Sequence, residues 1–156
     1  MMTSAEDRLE KAGYEHYEVL NFAKPGYASK HNLLYWHNQE YLGLGPGAFS
    51  YLSGCRYQMA PAVKRWLEKF SNQDWAPDLA EDLDDAKKEM ETLMTGIRLS
   101  KGIELKDYRV IRKKIEPVIE HLSHGGLIEK KENRFKLTRR GRFLVETVLA
   151  ELVGAS

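Results

Sequence analysis

The sequence predicts an α+β chain whose second half is helical and winged-helix-like. Three observations carry that expectation. Tyr, Val, Leu and Phe gather at 14–22, and a Tyr-Leu-Gly-Leu-Gly run at 41–45 leads into Pro46-Gly47. Apolar residues recur at steps of three and four from Leu79 to Ile97. Beyond them, Pro117, Gly125-Gly126 and two short segments flanking Glu132-Asn133 read as helix, helix, hairpin and closing helix.

Taken in order, Ser4 with Asp7 three residues on resembles a capping box, and Gly13 suits the left-handed residue that ends a helix over about 5–12. Tyr14 to Phe22 predicts a strand, and Ala23 to Asn32, with Pro25-Gly26, a loop. Tyr41 to Gly45 predicts a second, buried strand that runs into Pro46-Gly47-Ala48. Glycines at 43, 45 and 47 suggest close approach of the backbone to another group. From Pro61 a short helix would place Val63, Trp66, Leu67 and Phe70 on one side. The polar stretch 71–78 is the expected boundary between domains at 1–75 and 76–156.

An amphipathic helix follows from Leu79 to Ile97, with its acidic face in solvent. A second helix is expected near Asp107, burying Tyr108, Ile111 and Ile115, and a third from Pro117 to Gly125. Residues 127–138 predict a tight hairpin, and 139–153 a closing helix with Phe143, Leu144, Val148, Leu149 and Leu152 inward.

Composition excludes several function classes. Of 156 residues, 42% are hydrophobic and 30% charged, the balance of a globular protein. No apolar run approaches the ~18 residues of a membrane span, and the N-terminus lacks a secretory pattern. A cytoplasmic location is expected. Cys55 is the single cysteine, so no internal disulfide and no cysteine-held cluster can be built from this chain alone. Net charge is +1, with residues 98–156 carrying 14 basic and 8 acidic side chains. That excess is modest for a nucleic-acid binder, so a winged-helix nucleic-acid module is the less favoured reading.

The chemistry-bearing residues concentrate at 31–50. His31 with Tyr35 and Trp36 fits either an iron ligand with rings on a haem face or ordinary core packing. Gly45, Gly47, Ala48 and Phe49 fit either a backbone cradle or a tight turn. Cys55 beside Arg56, the His121/His124 pair and Arg139-Arg140-Gly141-Arg142 are most simply structural or solvent-facing. No Ser/His/Asp triad, HExxH zinc site or paired carboxylates occur, and no catalytic residue is assigned.

The run YEVLNFAKPGYASKHNLLYWHNQEYLGLGPGAFSYLSGCRY resembles the distal part of oxygen-independent coproporphyrinogen III oxidase-like radical S-adenosylmethionine (SAM) proteins. The HNxxYW signature (His31, Asn32, Tyr35, Trp36) resembles that of their HemW-type haem chaperone branch. METLMTGIRLSKGI and GLIEKKENRFKLTRRG resemble the family's C-terminal domain. The resemblance implies that residues 1–75 are the last βα elements of a radical-SAM α/β barrel, with 14–22 and 41–45 as its final staves. It also implies haem at His31, Asn32, Tyr35 and Trp36, with His31 on the iron. Gly45, Gly47, Ala48 and Phe49 would lie at the SAM end of the barrel, where many relatives read GPGAHS in place of GPGAFS. The [4Fe–4S] cluster and SAM chemistry would belong to a missing N-terminal half. The isolated staves would leave open sheet edges and favour self-association. A fragment of a true coproporphyrinogen III dehydrogenase is the alternative within the family.

Overall fold

The computed structural model describes residues 2–154. Their elements, in chain order, are α1 (Met2–Lys11), β1 (Glu15–His16), β2 (Phe22–Ala23), α2 (Lys30–Trp36), β3 (Phe49–Leu52), β4 (Cys55–Gln58), α3 (Val63–Ser71), β5 (Leu79–Asp82), α4 (Asp85–Gly96), β6 (Ile103–Glu104), α5 (Arg112–His124), β7 (Ile128–Lys131), β8 (Arg134–Leu137), α6 (Arg139–Phe143) and α7 (Val145–Gly154). The α+β expectation holds. Every strand pairing among the described residues is antiparallel. The chain forms two compact units: residues 1–38 with 89–156, and residues 39–88.

The first unit carries the winged arrangement. β6, β8 and β7 form a sheet in that order, and the β7–β8 hairpin turns at Glu132 and Asn133 as expected, with Glu132 at φ 51°. Ile115, Ile119, Leu122, Ile128, Phe135, Val148 and Leu152 are all almost fully buried and make up its core together with Leu93 and Ile97. Glu89 joins two helices: its carboxylate accepts the backbone N–H groups of Arg109 (2.8 Å), Val110 (2.9 Å) and Ile111 (3.0 Å), just before α5. Those amides have no intrahelical partner, so a carboxylate there satisfies donors and favours the helix dipole.

Several element expectations are corrected. Residues 14–22 are not one strand. They are β1 and part of β2 folded on each other, because Tyr17 N–H bonds the Asn21 carbonyl (3.2 Å) and the Glu18 carboxylate accepts Leu20 N–H (3.2 Å). Residues 41–45 are not a buried strand either. Only Tyr41 bridges to Tyr51, Leu42 and Leu44 are 66% and 84% exposed, and Gly45 and Gly47 take φ of +110° and +70°, off the strand region. The two barrel staves are therefore absent as strands from the described residues.

Ser4 lies within α1 rather than before it, while Gly13 (φ +77°) ends that helix as expected. Leu79–Asp82 is a strand paired with β4, and the helix starts later because the Asp84 side chain caps it by accepting Lys87 N–H (2.8 Å). The two helices expected around Pro117 are one. Tyr108 follows a 3-10 turn over Leu105–Asp107, and Pro117 lies inside α5 at the cost of a single backbone bond. The closing helix breaks at Leu144, where φ and ψ leave the helical region, and Phe143 and Leu144 are exposed rather than inward.

The second unit is a β3-β4-β5 sheet with α3. α3 forms where the sequence predicts a helix, and no residue of it is buried. The expected boundary at 71–78 falls inside this unit. Asp78 pairs with Arg65 (3.0 Å) and Lys69 (3.5 Å), and Asp74 with Lys69 (2.9 Å), which ties the segment back onto α3.

Candidate functional site

The HNxxYW residues form a short helix, α2, where the sequence suggested part of a loop. Ser29 caps it, its side-chain oxygen accepting Asn32 N–H at 3.3 Å. At about 100° per residue, α2 has three distinct faces. His31 and Tyr35 share one, and their rings meet edge to face at 4.9 Å and 88°. Asn32 and Trp36 share a second. There Asn32 Nδ2 donates to the Tyr17 hydroxyl (3.4 Å), and the Arg98 guanidinium lies 5.5 Å from the Trp36 ring centre. Trp36 Nε1 is buried with no hydrogen-bond partner. Lys30, Leu33 and His37 share the third.

The His31 imidazole is exposed, and no hydrogen bond engages it among the described residues. The third face opens on a cavity of about 590 Å³ walled by α2, β1 and the start of the winged region. Sequence reasoning missed this cavity and its residues. The overlooked signal was Ser29 as a helix cap, which sets the i, i+3, i+7 spacing of Lys30, Leu33 and His37.

The glycine-rich segment lies in the other unit. Gly43 N–H donates to the buried Ser50 hydroxyl (3.0 Å), Gly47 N–H to the Ala60 carbonyl (2.9 Å), and Ala48 N–H to the Gly45 carbonyl (3.3 Å). Those amides are spent within the turn. A side chain at Gly43 would overlap the Phe49 carbonyl, so glycine is required there for packing. The Phe49 ring is exposed.

Other candidates resolve simply. Cys55 is buried, and one thiol cannot hold an iron–sulfur cluster. His121 and His124 are exposed on α5, with His124 Nδ1 2.8 Å from the Glu120 carbonyl. Arg139 and Arg142 turn onto α1, where both pair with Glu6 and Arg139 also pairs with Asp7 (2.7 Å). Two guanidiniums of the basic run are thereby neutralised, which leaves little for a phosphate backbone. No group of three or more metal-binding side chains occurs among the described residues, and no described helix is long and apolar enough to cross a membrane.

Comparison with known proteins agrees with this arrangement. The family described as "HemN C-terminal domain" matches residues 83–144. "Heme chaperone HemW" of Bacillus subtilis is 30% identical over 152 residues, covering 94% of this chain and 40% of that protein. The chain is a HemW/HemN-like C-terminal part. The Synechocystis "Heme chaperone HemW" is 38% identical over 101 residues, covering 63% of this chain. The radical SAM coproporphyrinogen III oxidase HemN of Escherichia coli superposes with a TM-score of 0.73 over 97% of this chain at 15% identity, a likeness of fold. This HemW/HemN-like chain spans about 40% of the length of these relatives where the match is fullest.

Proposed function

We propose that this chain carries the haem-handling part of a HemW-type radical SAM protein, with α2 as the element that meets the porphyrin. The observation that carries the reading is the His31 imidazole, exposed, unengaged and held edge-on to Tyr35. An accessible neutral imidazole is an axial ligand for haem iron, and flanking rings favour the flat macrocycle. Tyr35 fixes the His31 ring, while Trp36 lies on the neighbouring face, where its half-buried ring under Arg98 and the Asn32–Tyr17 bond set the rotation of the helix rather than meeting the porphyrin. Haem here is cargo, and its only chemical requirement of the chain is a ligand and a surface.

The turn at Gly45, Gly47, Ala48 and Phe49 is proposed as an apolar wall near SAM in the longer protein. The Gly47 and Ala48 amides are already bonded, so the turn would contribute mainly shape and the exposed Phe49 ring. Cleaving SAM requires a cluster that one buried cysteine does not supply. Titration of ferric haem followed at the Soret band tests the reading. His31→Ala is expected to shift the band and weaken binding, and a chain that shows no specific Soret band refutes it.

A further inference from the structure

The cavity beside α2 has a composition that the His31 reading does not use. His37 and His16 both line it, on different elements. His16 is held by Glu6 at 3.5 Å and stacked on Phe22 at 4.3 Å, and its Nε2 is buried without a hydrogen-bond partner. The His37 imidazole is exposed, and no hydrogen bond to it occurs among the described residues. Lys30 and Lys101 both line it, and no ion pair to either ammonium occurs among the described residues. Nearby Arg134 is occupied by Glu104 and the Lys101 carbonyl. Leu33 and Leu99 supply apolar wall, and Glu15 is the one carboxylate at the cavity.

A volume of about 590 Å³ lies within the roughly 300–1,000 Å³ that accommodates a sizeable small molecule. A cavity that combines apolar wall at Leu33 and Leu99 with two unpaired cations and an accessible imidazole fits a flat, carboxylate-bearing metal chelate better than a phosphate or a bare ion. A phosphate would gain nothing from Leu33 and Leu99. A bare ion lacks a third ligand, since no metal-binding cluster is present among the described residues.

We propose that this cavity is a second tetrapyrrole station, separate from the His31 face. His37 offers its imidazole lone pair to the iron, while Lys30 and Lys101 receive the porphyrin carboxylates. Coordination needs no oxidant or proton transfer, because a neutral imidazole donates directly to an open axial position. The inference rests on the haem reading of α2 and adds a place for haem to move from an exposed ligand into a partly enclosed one.

The test uses the full 156-residue chain. In a His31→Ala background, titrated ferric haem is expected to keep a Soret band that the added His37→Ala change removes. Zinc protoporphyrin, followed by fluorescence, is expected to bind Lys30→Glu/Lys101→Glu at least about tenfold more weakly, through loss of charge-assisted contacts. The zinc porphyrin dimethyl ester should be insensitive to that change. These residues are exposed, and far-UV circular dichroism checks that the fold is kept. If His31→Ala alone abolishes all binding, the cavity proposal falls and the His31 reading stands. If His37→Ala in that background changes nothing, or charge reversal leaves the zinc porphyrin Kd unaltered, the cavity proposal falls. If the unmodified chain binds neither porphyrin, both readings fall.

Discussion

Replacing Glu6 by Ala is the sharpest test of how the first unit is held together. Glu6 on α1 is 7% exposed and accepts from Arg139 Nε (2.7 Å) and from Arg142, while His16 Nδ1 lies 3.5 Å away. Its removal strands the Arg142 guanidinium, and takes a carboxylate from Arg139 and His16, beside an apolar pocket of about 210 Å³ formed with Leu9, Val19 and Phe143. Breaking a fully buried pair costs about 3–5 kcal/mol. Arg142 is 19% exposed and Arg139 keeps Asp7 at 2.7 Å, so water and the second carboxylate recover part of that loss. The expected cost is about 2–3 kcal/mol, or a fall in Tm of roughly 5–10 °C for a domain of this size. Thermal and urea unfolding by circular dichroism read it, with hydrogen exchange in α1 as the local probe. A Glu6→Ala/Arg142→Ala cycle should return a favourable coupling. A loss below about 0.5 kcal/mol would show that the cluster is ornament and that α1 is held by its apolar contacts alone.

Acid should weaken the same region. Burial, then the Arg142 charge, hold the His16 pKa below its ordinary value near 6.5, against opposing pulls from Val19, Glu6 and Glu18. The unfolded chain therefore binds the proton first, so stability is full above about pH 6.5 and declines as pH falls through the folded pKa. His16→Gln should flatten that decline in pH-dependent urea midpoints, and an unchanged slope would count against the assignment. Glu89→Ala orphans the three backbone donors ahead of α5 and should cost about 2–3 kcal/mol, whereas Glu89→Gln should recover only part of it. Gly141→Ala drives a methyl group into the Leu127 carbonyl, so urea unfolding should reveal a loss of several kcal/mol or failure to fold, on the order of the largest single-site effects.

The hairpin, the buried row of α7 and the α+β class were legible because each rests on local pattern. Val148, Leu149 and Leu152 repeat at helical spacing, and Glu132-Asn133 breaks two short runs. Errors arose where a distant partner decided the outcome. Leu79–Asp82 shares a helical apolar rhythm with residues 83–97, yet it pairs with β4, and Asp84 delays the helix. Pro117 has the signature of a helix start, but Glu89, 28 positions before it, caps the chain earlier and carries the helix through.

The sequence by itself determined the identities at the candidate site: His31, Asn32, Tyr35 and Trp36, a glycine-rich turn, and a single thiol that excludes a resident cluster. Only the tertiary structure decided which of these residues face the same way. A seven-residue helix rotates neighbours about 100° apart, so His31 and His37 belong to different surfaces although only six positions separate them. The cavity between α2 and the winged region joins residues 15 to 134, a distance along the chain that no local pattern spans. Enclosure comes from the packing of separate segments, and residue spacing alone carries no record of it.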